Sequence, residues 1–141
     1  MTFLVDANVI VYAAVPSRYR QACLEILEAI AEGRAEGRVS TAVLEEVWHI
    51  ELSGRAGEIA GLTRQAYRLF TPLLPVNDEI MARALDLDVR RLGANDRIHA
   101  ATALVHGIDT ILSADSDFDR VPALRRVDPL SDLARTRLIK G

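Results

Sequence analysis

A chain of 141 residues that is 50% hydrophobic suits one domain around one core, residues 1–141, and excludes disorder as its default state. Its formal net charge of −3 excludes a globally basic nucleic-acid binder, although every cation except Lys140 is arginine, the better clamp for phosphates and carboxylates. The single cysteine, Cys23, excludes an internal disulfide and a cysteine-based zinc site, and no apolar run approaches the ~20 residues of a membrane span.

No secretory leader is visible either, so a cytoplasmic protein without membrane contact is expected. In chain order, Phe3-Leu4-Val5 reads as a strand buried on both faces, with Asp6 where it ends. Asn8 to Ala14 reads as one or two helical turns stopped by Pro16, and Tyr19 to Glu32 as an amphipathic helix ended by Gly33. Cys23 falls among Ala22, Leu24 and Leu27 as a small core residue. Arg34 to Arg38 reads as a polar connection and Val39-Ser40 as a brief second strand. Ser40 or Thr41 then caps a helix to about Leu52, with Gly54 as its stop. Further helices are expected over Glu58 to Phe70 and Asp78 to Leu92, with a third strand at Leu73 to Val76 between them. Ala94 to His106 is a helix with Asp96, His99, Ala100 and Ala103 on one face. Asp109 to Ser113 reads as another strand, Ala114 to Arg120 as an acid-rich loop, and Arg126 to Asp128 as an edge strand. The residues from about 130 to 141 read as a short C-terminal helix or a loose tail. Strands alternating with helices predict an α/β domain with a central, mostly parallel sheet.

Two strands are each followed by an acid, Asp6 and Asp115, at the sheet edge where α/β proteins bind ligands. Asp96 and Glu46 lie near the starts of helices that can point at the same edge. Each has a plainer alternative: a turn or cap for Asp6, an N-cap for Asp96, and a solvated loop for Asp117 and Asp119. Four acids in one crevice repel one another unless a cation resolves them, and magnesium with its preference for hard oxygen ligands is the natural candidate. His99, one turn after Asp96, is more readily a packed or hydrogen-bonded residue than a catalytic one. Trp48 reads as core or interface.

Four segments taken together, Leu4 to Asn8, Ser40 to Val47, Asn95 to Gly107 and Ile111 to Pro129, resemble the PIN-domain family, most closely its VapC-type toxins of toxin–antitoxin pairs. The resemblance implies a three-layer α/β fold and a Mg2+- or Mn2+-dependent endoribonuclease. It carries the catalytic acids onto Asp6, Glu46, Asp96 and Asp115, and metal ligation onto Asp6, Asp96, Asp115 and Asp117. Glu46 rather than Glu45 matches the family's spacing from Ser40, with the adjacent glutamate as the alternative. Asn8 and Ser113 match polar residues beside the site that orient ligands or waters.

The resemblance also implies an RNA substrate, a homodimer and a cognate antitoxin, whose Arg or Lys would offset the charges of the crevice. Arg97 and Arg120, adjacent to the acids, are expected at its rim to neutralise phosphates. Two other readings compete: a non-catalytic PIN-fold module that binds RNA or protein, and a small-molecule phosphohydrolase working through an aspartyl intermediate. Asn8 in place of a second Asp, and the absence of lysine before Lys140, weigh against the latter.

Overall fold

The computed structural model describes residues 1–140. Four strands form a sheet of order β2-β1-β3-β4: β1 (Thr2–Val5), β2 (Glu36–Arg38), β3 (Thr110–Leu112) and β4 (Arg125–Val127). Every pairing is parallel, with Val5 opposite Leu112 and Leu4 opposite both Arg38 and Ile111. From β1 the chain moves outward to β2 on one side and later returns to β3 on the other. The strand order therefore reverses between β1 and β3, which opens a crevice beyond their carboxyl ends.

Side-chain alternation along β1 divides the core. Phe3 and Val5 pack with residues of α1 (Ala7–Ala14), α2 (Arg20–Ala31), α3 (Thr41–Ser53), α4 (Leu62–Phe70) and α7 (Asp132–Lys140). Leu4 and Ile111 face the other way, onto Ala100 and Ala103 of α6 (Ala94–Val105) and onto Phe118. Helix α5 (Asp78–Leu85) packs outside α6 through Ile80, Ala84 and Ala101. Helices thus cover both faces of the sheet, the three-layer α/β arrangement expected. Full burial of a side chain such as Phe3, Leu4 or Phe118 contributes roughly 1.5–3 kcal/mol, so the two layers are anchored on β1 and β3 from both sides. No helix among the described residues is long and apolar enough to cross a membrane.

Several elements differ from the sequence reading, each for a local reason. The second strand is Glu36–Arg38 rather than Val39-Ser40, because an edge strand tolerates polar residues on its open side; Thr2 Oγ1 donates to Glu36 Oε2 at 2.9 Å. Gly37 lets Ile30 pack close to it, since a Cβ there would meet Ile30 Cδ1 at 2.5 Å and Val5 Cγ2 at 3.0 Å and push the Ile30 side chain aside. Leu73 to Val76 yields only a parallel bridge of Leu74 to Ser40, because Pro72 and Pro75 bracket it and lack the donors to extend a ladder. Leu74 N donates to Val39 O, Leu74 O accepts from Thr41 N, and pairing stops there.

Helix α4 begins at Leu62 rather than Glu58. Gly57 and Gly61 hold positive φ, and the Glu51 carboxylate accepts from Gly61 N and Thr63 N to start it. Helix α5 ends at Leu85 rather than Leu92, and the turns after it are held by Arg97, which donates to the carbonyls of Leu87, Val89 and Leu92. The acid-rich loop contains a short 3-10 helix, Ser116–Arg120. The C-terminal stretch is helical from Asp132, pinned by Arg135 to Glu25 of α2 at 3.1 Å. Cys23 is a core residue as expected; burial pushes its thiol up to about 12.

Candidate active site

Asp6 ends β1, its amide still bonded to Leu112 O at 3.0 Å, and its side chain caps α1 by accepting from Ala7 N at 2.8 Å. The capping and crevice readings of this residue are therefore compatible. Its second oxygen accepts from Ser113 Oγ at 2.6 Å and from Asn8 Nδ2 at 3.1 Å. Ser113 comes directly after β3, and its Oγ also accepts from Asp115 N at 3.0 Å, while Asn8 Oδ1 accepts from Ala114 N at 3.2 Å. The ends of the two central strands are thus tied together by Asn8 and Ser113, with Asp6 and Asp115 on either side of the tie. Asp115 Oδ1 in turn accepts from Asp117 N at 2.9 Å and starts the short 3-10 helix.

Helix termini bring in the other acids. Ser40 Oγ accepts from Val43 N at 3.1 Å, which settles the cap of α3 on Ser40 and sets Glu46 in its second turn. Gly93 starts α6, so Asp96 lies in its first turn, where a carboxylate suits the helix dipole. Ligand atoms of Asp6, Glu46 and His99 lie within 4.8 Å of one another, and those of Asp96, Asp115 and Asp117 do likewise. His99 donates from Nε2 to Glu46 Oε2 at 2.9 Å and lies 4.0 Å from Asp6 Oδ1, while Glu45 is exposed and belongs to neither cluster.

Charge crowding is evident. Burial raises the Asp96 carboxyl to about 7, helped by the charges of Asp6 and Asp115. Burial likewise holds Asp6 above its ordinary range, against the opposing pull of His99 and Ser113. For His99 burial acts downward, but the Glu46 hydrogen bond and the charges of Asp6, Glu46 and Asp96 outweigh it, and the net direction is up. A set of carboxylate oxygens that resists ionising together is the donor chemistry of a hard divalent cation, so the residues present fit Mg2+ or Mn2+.

One expected residue is elsewhere. Arg97 does not reach the rim, because its guanidinium donates to the three carbonyls of the loop before α6. Arg120 does lie beside the acids, 3.6 Å from Asp117. Sequence reasoning overlooked Arg126, which donates to Ser113 O at 2.9 Å and pairs with Asp119, bracing the turn after β3; only its place on the neighbouring strand hinted at this. Trp48 is more than half exposed and so lies outside the core.

The family model for the PIN domain matches residues 3–124. The chain belongs to the PIN-domain family. Solved structures agree with this PIN fold. VapBC2 from Rickettsia felis, bound to a DNA fragment from its promoter, superposes with a TM-score of 0.66 at 18% identity, covering 90% of this chain and 98% of that one. A toxin–antitoxin complex from Klebsiella pneumoniae gives 0.63 at 21% identity over 90% and 97% of the two chains. FitAcB from Neisseria gonorrhoeae gives 0.60 at 21% identity over 93% and 99%. At such identities the likeness speaks for the fold alone. No curated protein matches this PIN domain.

Proposed function

We propose that this PIN domain is a Mg2+- or Mn2+-dependent endoribonuclease of the VapC type, the cytoplasmic toxin of a toxin–antitoxin pair. The observation that carries the reading is the convergence of Asp6, Glu46, Asp96, Asp115 and Asp117 on one crevice at the switch point of the sheet. Asp6, Asp96, Asp115 and Asp117 are the residues that would hold the cation. A bound divalent ion supplies charge stabilisation of the phosphodiester and makes water a better nucleophile near neutral pH.

The chain's own residues then have distinct tasks. Ser113, Asn8 and Ala7 N fix the orientation of the Asp6 carboxylate, and Arg126 braces the turn that carries Ser113. Glu46 accepts His99 Nε2–H with one oxygen, which leaves the other to take a hydrogen bond from the attacking water. Water adds to phosphorus and releases a proton to solvent, the bond to the leaving oxygen breaks, and that oxygen takes up a proton from solvent. No side chain becomes covalently attached. Arg120 contributes positive charge beside Asp117 for the incoming phosphates.

The toxin–antitoxin complexes among the structural neighbours support an antitoxin partner, which would place an Arg or Lys in the crevice. Homodimerisation belongs to the same proposal, and a strictly monomeric mass at micromolar concentration counts against it. The decisive experiment is cleavage of a mixed pool of structured RNAs by the purified chain with Mg2+ or Mn2+. Matched reactions contain EDTA or the folded variants Asp6→Asn and Asp115→Asn. Cutting that needs the metal and vanishes in both variants supports the reading; cutting that survives in both overturns the assigned site. A trapped acyl-phosphate on Asp6 would instead identify a phosphohydrolase.

A further inference from the structure

Beside the crevice a cleft of about 490 Å3 opens between the start of α3 and the start of α6, and Glu46 forms one of its walls. Its size falls within the ~300–1,000 Å3 of small-ligand sites. Thr41, Glu45 and His49 line it from α3 at intervals of four residues, so they form a single polar stripe one turn apart. Asn95, the neighbour of Asp96, lines it from α6, while Ala42, Val76 and Ile98 supply apolar surface. The four polar side chains are exposed and make no hydrogen bond or ion pair among the described residues, so each is free to exchange water for a ligand. In the adjoining crevice, by contrast, Asp6, Glu46 and Ser113 are all engaged.

Resting on the nuclease reading above, we propose that this cleft is a nucleobase subsite which takes an unpaired guanine next to the phosphate to be cut, with Glu45 as its specificity-determining residue. A carboxylate only accepts hydrogen bonds, and it has two oxygens to offer. Guanine presents two adjacent donors, N1–H and the N2 amino group, on its Watson–Crick edge, the edge read in single-stranded RNA. The amide of Asn95 and the hydroxyl of Thr41 are donors for guanine O6, and Ile98 and Val76 give the ring an apolar surface. A phosphate would be repelled by Glu45, so the base rather than the backbone belongs here. The adjacent glutamates thereby divide their work: Glu46 faces His99 and the acids, and Glu45 faces the cleft.

The test uses neutral nucleosides on the metal-free full chain in EDTA, read by 1H–15N NMR, so that no cutting is involved. Guanosine is expected to shift the amides from Thr41 to His49 and the Asn95 side chain saturably, with uridine at least several-fold weaker. Glu45→Gln should weaken guanosine by about tenfold, within the range of a two-bond base contact. Equal binding of uridine, shifts outside the cleft, no loss in Glu45→Gln, or shifts with N-acetylarginine amide but not guanosine would each overturn the subsite. The last result would assign the cleft to a basic peptide. With Mn2+ and RNA, the wild type is expected to cut beside unpaired guanines and Glu45→Gln to lose that preference. Cutting without base preference overturns the subsite and leaves the nuclease standing. Guanosine binding without any RNA cutting supports the subsite and removes the nuclease.

Discussion

His99 Nε2 lies 2.9 Å from Glu46 Oε2, joining two helices at the mouth of the acidic crevice, and the imidazole is only 1% exposed. The contact spans 53 positions in the sequence and holds the one acid that approaches Asp6 from α3. His99 is in this sense a positioning residue for Glu46.

His99→Ala should therefore slow metal-dependent RNA cleavage by about 10–100-fold, the usual effect of losing a partner that orients a site group. His99→Gln keeps an N–H donor and is expected to recover part of the rate. Cleavage rates compared at saturating Mn2+, beside urea melts of both variants, separate positioning from simple loss of fold. Equal rates in His99→Ala and wild type would show that Glu46 needs no anchor.

Ser113 joins more groups than any sequence pattern suggested. Its hydroxyl donates to Asp6 Oδ2 and accepts from Asp115 N, and it is fully buried. Ser113→Ala leaves Asp6 short of a donor and Asp115 N short of an acceptor. A loss of about 1–3 kcal/mol in stability is expected. A fall of roughly 10–100-fold in Mn2+ affinity should accompany it. Denaturant unfolding and calorimetric metal titration measure the two effects independently.

The strand-then-acid pattern at Asp6 and Asp115 is visible in sequence because buried strands of a parallel sheet are short apolar runs, and the residues just beyond their carboxyl ends share one edge of the sheet. The start of α3 was equally legible, because Ser40 or Thr41 announces its cap, and the structure places it on Ser40. Features set by tertiary contact were not. Glu36–Arg38 is too polar to read as a strand until its edge position is known, and Leu73 to Val76 looks like a strand until the missing proline donors are counted. The Glu46–His99 bond and the Arg126–Ser113 brace are long-range geometry, which no local spacing encodes.

The pH behaviour of the metal-free chain is a consequence of crowding. Asp96, raised to about 7, and Asp6, also raised, hold protons in the folded state that the unfolded chain has released. Their contribution to folding stability is therefore complete only below the ordinary carboxylate value and is lost as pH climbs through about 7. The raised His99 acts in the same sense, since its favourable contribution is complete below its ordinary value and fades as pH passes the folded one. A cation must displace the Asp96 proton, so its stabilising effect should grow with pH and level off above about 7. Urea unfolding at pH 5.5 and 8 should show stability falling with pH in EDTA and a much flatter dependence with saturating Mn2+. Parallel curves in the two conditions would mean that Asp96 does not share its charge problem with the cation.

Arg97 offers the sharpest contrast between sequence and structure, because a residue next to Asp96 turns out to be architectural. Its guanidinium reaches Leu87 O and Leu92 O at 2.8 Å and Val89 O at 3.1 Å, closing the turns between α5 and α6. Three carbonyls lose a charged donor in Arg97→Ala, and a destabilisation on the order of 3 kcal/mol is expected. Arg97→Lys should recover little, since one ammonium cannot match a planar fork with three separate acceptors. The loop it closes leads directly to Gly93 and the first turn of α6, so loosening it should also blur the position of Asp96 and weaken Mn2+ binding. A phosphate-binding role predicts something different: RNA affinity would fall, its salt dependence would flatten, and stability would be unchanged. Unfolding free energies and salt-dependent RNA binding, measured on the same two variants, distinguish these outcomes.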